Sequence, residues 1–189
     1  MKPLETDRLI LRSWSLADHD REAFHEILSN ERGRRFYASR PGRAKSDELL
    51  EGLVAVSHDN AIEWRAVCLK GVSRPMGFSG LAAVDFPAHF TPTVEIGWQF
   101  LPAHWGQGYA TEAAQEFLRH GFEDHRLPEI VAFAVHNNAP SIAVMKRIGL
   151  HEVTDGTFDH PQVPDTHPHL KRHVLWRLTR EDWERQQHD

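Results

Sequence analysis

The spacing of apolar and polar residues changes period repeatedly along this chain, and each period predicts one kind of element. Apolar positions three or four apart mark amphipathic helices, whereas strict alternation or a short continuous apolar run marks a strand. The predicted helices cover 15–29, 46–56, 110–123 and 138–149, followed by a short one from 179. The predicted strands cover 8–13, 63–69, 74–84, 93–101, 130–135, 150–154 and 173–178. This order predicts a mixed α/β sheet of about seven strands, not a repeating βα barrel.

Short polar side chains stand where several of these helices are expected to begin. Ser15 starts a capping-box pattern with an acidic residue three positions on, and Thr179 does the same near the end of the chain. Ser46 and Asn138 are the other expected N-caps, because their side-chain oxygens can accept from amides of the first turn. Gly149 is expected just beyond the end of its helix, in the left-handed conformation that glycine adopts freely.

Composition narrows the class of protein. The 189 residues are 40% hydrophobic and 26% charged, which is typical of one soluble globular domain. The net charge of -5 argues against nonspecific nucleic-acid binding, which depends on a large basic surface. No apolar run approaches the roughly 18 residues of a transmembrane helix, and the N-terminus has no apolar signal segment, so we expect a cytoplasmic protein with no membrane partner. The single cysteine, Cys68, lies in an apolar run and is expected to be a buried thiol.

Two polar segments interrupt the pattern and are candidates for determining specificity. The segment 32–45 carries six cations, and it is either a solvated loop or part of an acceptor site. Its cations are Arg32, Arg34, Arg35, Arg40, Arg43 and Lys45. The segment 158–169 contains three prolines and the histidines His160, His167 and His169. Zinc is one interpretation of these histidines, but no cysteine lies nearby and the prolines crowd the spacing, so we favour solvated or cleft-lining histidines and expect no metal.

A pair of glycines, Gly106 and Gly108, stands between a predicted strand and a predicted helix. Glycines let the backbone approach an anion closely, and the N-terminus of the helix directs unpaired amides and a positive dipole end at it. Neither a Walker A lysine nor a complete Gly-x-Gly-x-x-Gly pattern is present. On spacing alone, the alternatives are a phosphate-binding turn and an ordinary strand-to-helix turn.

Two blocks of sequence resemble the motifs of a known superfamily. Residues 98–113 resemble motif A of the GNAT acetyltransferases, and residues 137–150 resemble motif B of the same superfamily, in the same order and separation. The branch most similar to this chain is that of the ribosomal-protein N-terminal acetyltransferases. The resemblance extends over about 8–178 in element order. It implies a mixed, mostly antiparallel α/β (α+β) sheet with flanking helices and a V-shaped splay between two central strands.

The resemblance also implies where acetyl-CoA, the co-substrate, would bind. Backbone amides of the glycine segment would hold the pyrophosphate, and the set assigned to the cofactor there is Trp105, Gly106, Gln107, Gly108, Tyr109, Ala110 and Thr111. Backbone groups of Phe100 and Leu101 would pair with the pantetheine arm. Asn138 would bond the pantetheine from the other side, and Ser141 would lie near the thioester sulfur as a second catalytic candidate.

Two positions depart from the commoner residues of the superfamily. Trp105 stands where arginine or glutamine is frequent, which makes a side-chain contact to phosphate doubtful. Met145 stands where many members carry a tyrosine as general acid, and methionine has no proton to donate. Either Ser141 supplies that proton, or the thiolate leaves unassisted.

Glu95 is the candidate general base. In an alternating strand it shares a polar face with Gly97 and Gln99, and that face would look into the acceptor cleft. Freeing an α-amine at pH 7 costs about 1 kcal/mol, against about 4–5 kcal/mol for a lysine amine, so lysine demands a base more strongly. The resemblance places a carboxylate at this position too. The alternative is a cross-strand ion pair.

These observations predict a single-domain N-acetyltransferase that moves an acetyl group from acetyl-CoA to a primary amine by direct attack in a ternary complex. The acceptor is a protein N-terminal α-amine or a small-molecule amine, and neither nucleic acid nor a metal is expected to take part. A backbone amide near Phe100 would meet the developing oxyanion. The alternatives are a non-catalytic acyl-CoA-binding module and a structural subunit of a dimer, and whether the enzyme is a homodimer is open.

Overall fold

The computed structural model describes residues 2–56 and 64–187, and its centre is a nine-stranded sheet. The strands are β1 (Leu4–Glu5), β2 (Leu9–Arg12), β3 (Trp64–Leu69), β4 (Gly77–Ala83), β5 (Val94–Phe100), β6 (Glu129–Val135), β7 (His151–Glu152), β8 (Phe158–Asp159) and β9 (Arg172–Thr179). The helices are α1 (Asp18–Ser29), α2 (Arg43–Val56), α3 (Tyr109–Arg119), α4 (Ala139–Arg147) and α5 (Arg180–Gln186). The strand order is β1-β2-β3-β4-β5-β6-β9-β7, with β8 also paired to β9. The predicted mixed, mostly antiparallel α/β sheet is confirmed.

The sheet is antiparallel except at its centre. There β5 and β6 run parallel and register at one pair, Glu95 with Val131. The antiparallel pair β6 and β9, by comparison, registers over seven positions. The two central strands therefore diverge after a single bridge, which is the splay expected from the resemblance.

Helices cover both faces of the sheet, as the sequence pattern requires. Val67 and Ala66 are neighbours in β3 and therefore point to opposite faces. Val67 belongs to the larger core with Phe117 and Leu118 of α3, whereas Ala66 packs with α1 and α2 around Phe24. The core thus consists of two apolar layers, with the ends of β5 and β6 between them.

Some of the expected helix starts are confirmed. The Asn138 side chain accepts from the Ser141 amide at 3.4 Å, and the Thr179 hydroxyl oxygen accepts from the Asp182 amide at 3.2 Å. Gly149 follows α4 with φ of +83°, as expected for the residue after a helix.

Two expected caps were wrong. The N-cap of α1 is Ala17, with no side-chain cap bond, and Ser15 instead donates its hydroxyl to Asp20 at 2.7 Å. The helix α2 begins three residues before Ser46, whose hydroxyl donates to the Gly42 carbonyl at 3.2 Å. In each case a different partner for the serine hydroxyl replaced the local cap, a competition that spacing does not reveal.

The remaining differences are in length and number. The helix expected over 110–123 is α3 followed by a π-helical turn from His120 to Asp124. Nine strands replace about seven, because β1 and β8 have two residues each, too few for an alternation signal. Residue 63, expected to begin a strand, lies outside the described residues. Across 2–56 and 64–187, no helix is long and apolar enough to cross a membrane.

A buried ion pair fixes the entry to α1. The Asp20 carboxylate is fully buried and accepts from Arg12 Nη1 at 2.8 Å and Nη2 at 2.6 Å. The Ser15 amide also donates to it, at 2.8 Å. Burial alone would raise the pKa of Asp20, but the hydrogen bonds from Arg12 and Ser15 outweigh it and lower that pKa. The charged carboxylate is therefore part of the folded structure.

Candidate active site

Two adjoining cavities open where β5 and β6 diverge. The first, of about 640 Å³, lies at the N-terminus of α3 and is called here the glycine-loop cavity. The second, of about 510 Å³, contains Glu95 and is called the carboxylate cavity. Six residues line both and form their shared wall: Phe36, Tyr37, Trp98, Gln99, Asn138 and Ser141. Groups held in the two cavities can therefore meet at this wall.

The glycine pair shapes one end of the glycine-loop cavity. Gly106 and Gly108 have φ of +75° and +82°, a left-handed backbone that non-glycine residues adopt at a cost. Gly108 is the N-cap of α3 and no side chain caps the helix there, so the first-turn amides are left for another acceptor. Apart from Gly106 and its two chain neighbours, no atom of the described residues lies within 4 Å of where a Cβ on Gly106 would stand, which leaves space for a ligand beside the backbone.

Arg8 holds the glycine segment in place from β2. Its Nη1 donates to the carbonyl of Gln107 at 3.0 Å, and its Nε donates to Glu112 Oε2 at 2.7 Å. The guanidinium also lies 4.7 Å from the ring centroid of Tyr109. One side chain thereby ties the loop to the first turn of α3, and it uses the Gln107 carbonyl without occupying the amides.

The arginines that line the glycine-loop cavity give it a positive charge. Arg32, Arg35 and Arg147 line it, and among the described residues no aspartate or glutamate does. Arg32 lies 5.1 Å from the ring centroid of Trp105 and Arg35 lies 4.8 Å from that of Phe36. A cavity with cationic walls and a helix N-terminus favours a polyanionic ligand.

The backbone of β5 offers a further set of groups. The Leu101 amide donates to Met76 at 3.0 Å and the Val84 amide donates to Thr93 at 3.0 Å, which fixes the ladder to β4. The alternation of an antiparallel ladder then turns Trp98 and Phe100 to the side of β6, where the strands have diverged. The Leu101 amide and its carbonyl, which accepts from His104 at 2.9 Å, both have partners inside the protein.

Among the residues that the structure describes, Glu95 is the one acidic residue that lines the carboxylate cavity. Gly97 and Gln99, which alternation places on its face of the strand, line the same cavity, as do Ile96 and Trp98. Burial raises the pKa of Glu95 to about 7, and the nearby negative charge of Asp85 adds to the increase. No basic side chain of the described residues forms an ion pair with Glu95, so its carboxylate is not the cross-strand partner of the alternative interpretation.

Aromatic rings and two histidines form part of the walls of this cavity. The aromatic residues are Phe24, Phe36, Tyr37, Trp64, Phe78, Trp98 and Phe133. His160 and His173 also line it, with ring centroids 4.9 Å apart. Burial, with a smaller effect of His173, lowers the pKa of His160 to about 4, so this imidazole is neutral near pH 7. Of the three histidines expected in 158–169, His160 reaches a cavity and the other two do not.

Groups of acidic, histidine and cysteine side chains that could hold a metal ion are absent from 2–56 and 64–187. Cys68 is buried as expected, with its thiol near the Ser73 carbonyl at 3.4 Å.

Most of the expected cofactor residues come together, with two exceptions. Trp105, Gly106, Gly108, Tyr109, Ala110, Thr111, Phe100, Asn138 and Ser141 line the glycine-loop cavity. Gln107 and Leu101 line neither cavity. Met145 is buried at the carboxylate cavity, beside the shared wall. The Trp105 indole nitrogen donates to the Phe100 carbonyl at 2.8 Å, so this side chain holds the loop against β5.

Tyr37 was not predicted from the sequence. It lies in the arginine-rich segment 32–45, lines both cavities, and is 46% exposed as a residue. The Arg34 guanidinium lies 3.7 Å from its ring centroid. The sequence feature that could have pointed to Tyr37 is the rarity of tyrosine, since the chain has two tyrosines and this one lies among arginines.

A splayed mixed sheet with a glycine loop at a helix N-terminus beside the opening is the fold of the GNAT acetyltransferases. The chain belongs to the Acetyltransferase (GNAT) domain family, whose profile matches residues 8–151. The general reaction of this family is N-acetylation with acetyl-CoA as co-substrate.

Relatives and solved structures agree with this membership. The chain is 48% identical over 58 residues to the uncharacterized N-acetyltransferase YnaD of Bacillus subtilis, covering 31% of this chain and 34% of that protein. It is 37% identical over 98 residues to the FsC-acetyl coenzyme A-N(2)-transacetylase of Aspergillus fumigatus, covering 51% and 40%. These matches span well under two thirds of either relative.

The whole fold is found in solved structures. An acetyltransferase of the GNAT family from Bacillus anthracis superposes with a TM-score of 0.77 at 25% identity, covering 95% of this chain and 99% of that one. Ribosomal-protein-S5-alanine acetyltransferase from Vibrio fischeri superposes with a TM-score of 0.73 at 15% identity, covering 97% and 99%, a likeness of fold.

Proposed function

We propose that this protein is an N-acetyltransferase that binds acetyl-CoA in the glycine-loop cavity and a primary amine in the carboxylate cavity. The observation that carries the proposal is the shared wall between a cationic cavity at a helix N-terminus and a cavity to which the described residues contribute one partly buried carboxylate, that of Glu95. A ternary complex needs the two substrates to approach along one line, and this arrangement provides it.

The glycine-loop cavity suits a ligand with several phosphate charges. The first-turn amides of α3 and the backbone beside Gly106 would hold the pyrophosphate, and Arg32, Arg35 and Arg147 would add positive charge. The backbone groups of Trp98 and the amide of Phe100, whose carbonyl accepts from Trp105, are the β5 groups that would pair with the pantetheine arm, with Asn138 opposite. Relative to the expectation from sequence, Leu101 gives way to Trp98 because its amide and carbonyl already have partners.

Glu95 would act as the base. With a pKa of about 7, its carboxylate takes a proton from an ammonium more readily than an ordinary glutamate would. Bound acetyl-CoA supplies the acetyl carbonyl carbon, and the bond from amine nitrogen to that carbon forms as the carbon–sulfur bond breaks. Glu95 holds the proton that the amine gives up, directly or through one water.

The departing sulfur needs a proton or a stabilising partner. Met145 supplies neither. Ser141, the residue expected from sequence, and Tyr37 both place hydroxyl groups on the shared wall. A phenol is intrinsically a stronger acid than a serine hydroxyl and so matches a thiol more closely, although burial raises the pKa of the Tyr37 phenol above its ordinary value. Tyr37 is therefore the better matched donor of the two.

Two classes of amine acceptor are consistent with the proposal. The resemblance to ribosomal-protein N-terminal acetyltransferases favours a protein α-amine, whereas the Aspergillus relative, by its name, acetylates FsC at N(2). The alternative function, a non-catalytic acyl-CoA-binding module, draws on Met145 in place of a tyrosine.

Thiol release from acetyl-CoA, measured with panels of peptides and small amines, tests the proposal. We expect turnover with at least one amine, and acetyl-CoA alone should raise the melting temperature, because a ligand that binds only the native state stabilises it. A thermal shift without turnover on any amine would favour the binding module. No shift at all would contradict the cofactor site as well.

A further inference from the structure

The six cations of segment 32–45 divide into two groups by their partners. Three pair with acids: Arg40 with Glu31 at 3.2 Å, Arg43 with Asp47 at 3.0 Å and Lys45 with Glu48 at 2.6 Å. The other three, Arg32, Arg34 and Arg35, have no acid within 4.0 Å among the described residues. These three are also the ones that line the cavities. The cations without a counter-charge are therefore the ones positioned to meet a ligand.

Arg34 differs from its two neighbours in the cavity that it lines. Arg32 and Arg35 line the glycine-loop cavity, where acetyl-CoA would supply negative charge, whereas Arg34 lines the carboxylate cavity. Its hydrogen bonds go to neutral acceptors: Nη1 donates to Gln99 Oε1 at 3.2 Å, and Nε and Nη2 donate to the Ser39 carbonyl at 3.3 and 3.1 Å. Three of the five N–H groups of this guanidinium are used, which leaves two for a ligand.

Burial makes this missing counter-charge significant. Desolvation lowers the pKa of Arg34, while the nearby Tyr37 raises it in part. A half-buried guanidinium without a carboxylate partner lacks the compensation that buried charges usually have. A bound carboxylate would supply it, in the two-pronged geometry that arginine favours.

The described residues contribute one negative group to the same cavity, at a separate place. Glu95 and Arg34 form no ion pair, and the electrostatic influence of both reaches Tyr37. The aromatic side chains Trp64, Phe78 and Phe133 line the same space. The cavity thus combines a carboxylate, an uncompensated guanidinium and apolar walls.

We propose that the acceptor is an amino-acid-like small molecule, whose primary amine lies at Glu95 and whose carboxylate is bound by Arg34. This inference rests on the proposed function. A protein N-terminus fits less well, because a neutral peptide carbonyl follows its α-amine and leaves Arg34 without a counter-charge.

Matched acceptors test the inference in the unaltered enzyme. Phenylalanine, leucine and 4-aminobutyrate would each be compared with the corresponding amide, at saturating acetyl-CoA, with kcat/KM expressed per free amine. We expect at least one carboxylate to exceed its amide by about tenfold or more, as for a charge-assisted hydrogen bond. Amides that match or exceed their acids throughout would overturn the inference while leaving the proposed function standing. Absence of thiol release with every amine and peptide tested would overturn both.

Variants assign the preference to a residue. Arg34→Gln should lose most of the acid-to-amide ratio, mainly through KM for the acid, and Arg34→Lys should keep part of it. Arg40→Gln removes an acid-paired arginine that lines neither cavity, so it should keep the full ratio. The thermal shift given by acetyl-CoA should persist in all three, since neither position lines the glycine-loop cavity. An unchanged ratio in folded Arg34→Gln, or a loss in Arg40→Gln, would overturn the role of Arg34, and the comparison in the unaltered enzyme stands if a variant fails to fold.

Discussion

Replacing Glu95 by glutamine should make this protein less active and more stable. The shape of the side chain is kept, while the proton acceptor is lost. A single positioned base contributes about 10²–10⁴-fold to a rate, so kcat on a verified amine should fall within that range. Cofactor affinity should not change, because Glu95 does not line the glycine-loop cavity.

The gain in stability follows from the raised pKa. The pKa of Glu95 rises from an ordinary 4.5 to about 7, and this difference corresponds to about 3 kcal/mol against the charged form in the folded state. Between these two values the folded chain binds more protons than the unfolded chain, so stability falls as pH rises through this window. Glu95→Gln has no ionisable group at this position, so its stability does not fall in this pH window. Its free energy of unfolding should exceed that of the wild type by up to about 3 kcal/mol at pH 8 and by little at pH 4.

Urea unfolding at the two pH values and a pH–rate profile provide the assays. With an alkylamine acceptor of pKa about 10, log kcat/KM should increase with pH, with a slope of two below about pH 7 and a slope of one between about pH 7 and 9. The steeper limb should vanish in Glu95→Gln. In Asp85→Asn the break should move to lower pH with activity retained, because the negative charge of Asp85 helps to raise the pKa of Glu95. Full turnover in Glu95→Gln, or a variant less stable than the wild type at pH 8, would refute the assignment.

Three further perturbations test other parts of the structure. Gly106→Ala and Gly71→Ala should each introduce about 1–2 kcal/mol of strain, because both positions have a left-handed backbone. In both variants the added Cβ lies in open space, but only Gly106 lines the glycine-loop cavity. Calorimetry should therefore show acetyl-CoA affinity falling by about tenfold in Gly106→Ala alone, and equal losses would count against the loop. Steady-state kinetics should show a larger fall in kcat for Tyr37→Phe than for Ser141→Ala, and only Tyr37→Phe should displace the alkaline limb of the pH–rate profile. The reverse order would indicate that Ser141 donates the proton to the departing sulfur. Asp20→Asn should lower the free energy of unfolding in urea by about 3–5 kcal/mol at pH 7, because it leaves the Arg12 guanidinium without its charged partner. In the wild type this stabilisation should be lost as pH falls below 3.8, through the lowered pKa of Asp20. A loss under 1 kcal/mol in the variant would contradict the buried pair.

Features that depend on neighbours within a few residues could be predicted from the sequence. Gly149 adopts the expected left-handed conformation just beyond its helix, and Asn138 and Thr179 cap the helices that follow them. Alternation placed Glu95 on the cavity side of its strand. These outcomes follow from dihedral preferences and from the period of a strand or helix, which are local properties of the chain.

Features that depend on residues far apart in the chain required the tertiary structure. Ser15 turned from its expected cap to Asp20 because the same carboxylate also receives Arg12 from β2. Tyr37 and Ser141 both line the shared wall, although about a hundred residues separate them in the chain. No spacing rule connects the two positions.

The same reason explains the charges of the site. Six cations in one segment look alike in sequence, and which of them lack an acid is decided by helix α2 and by the cavity walls. Likewise, the pKa of Glu95 depends on burial under residues from several elements, a property of packing. The sequence alone determined the family's loop and its candidate base, and tertiary structure decided which charges face a substrate, because burial and counter-charges arise only when distant segments pack together.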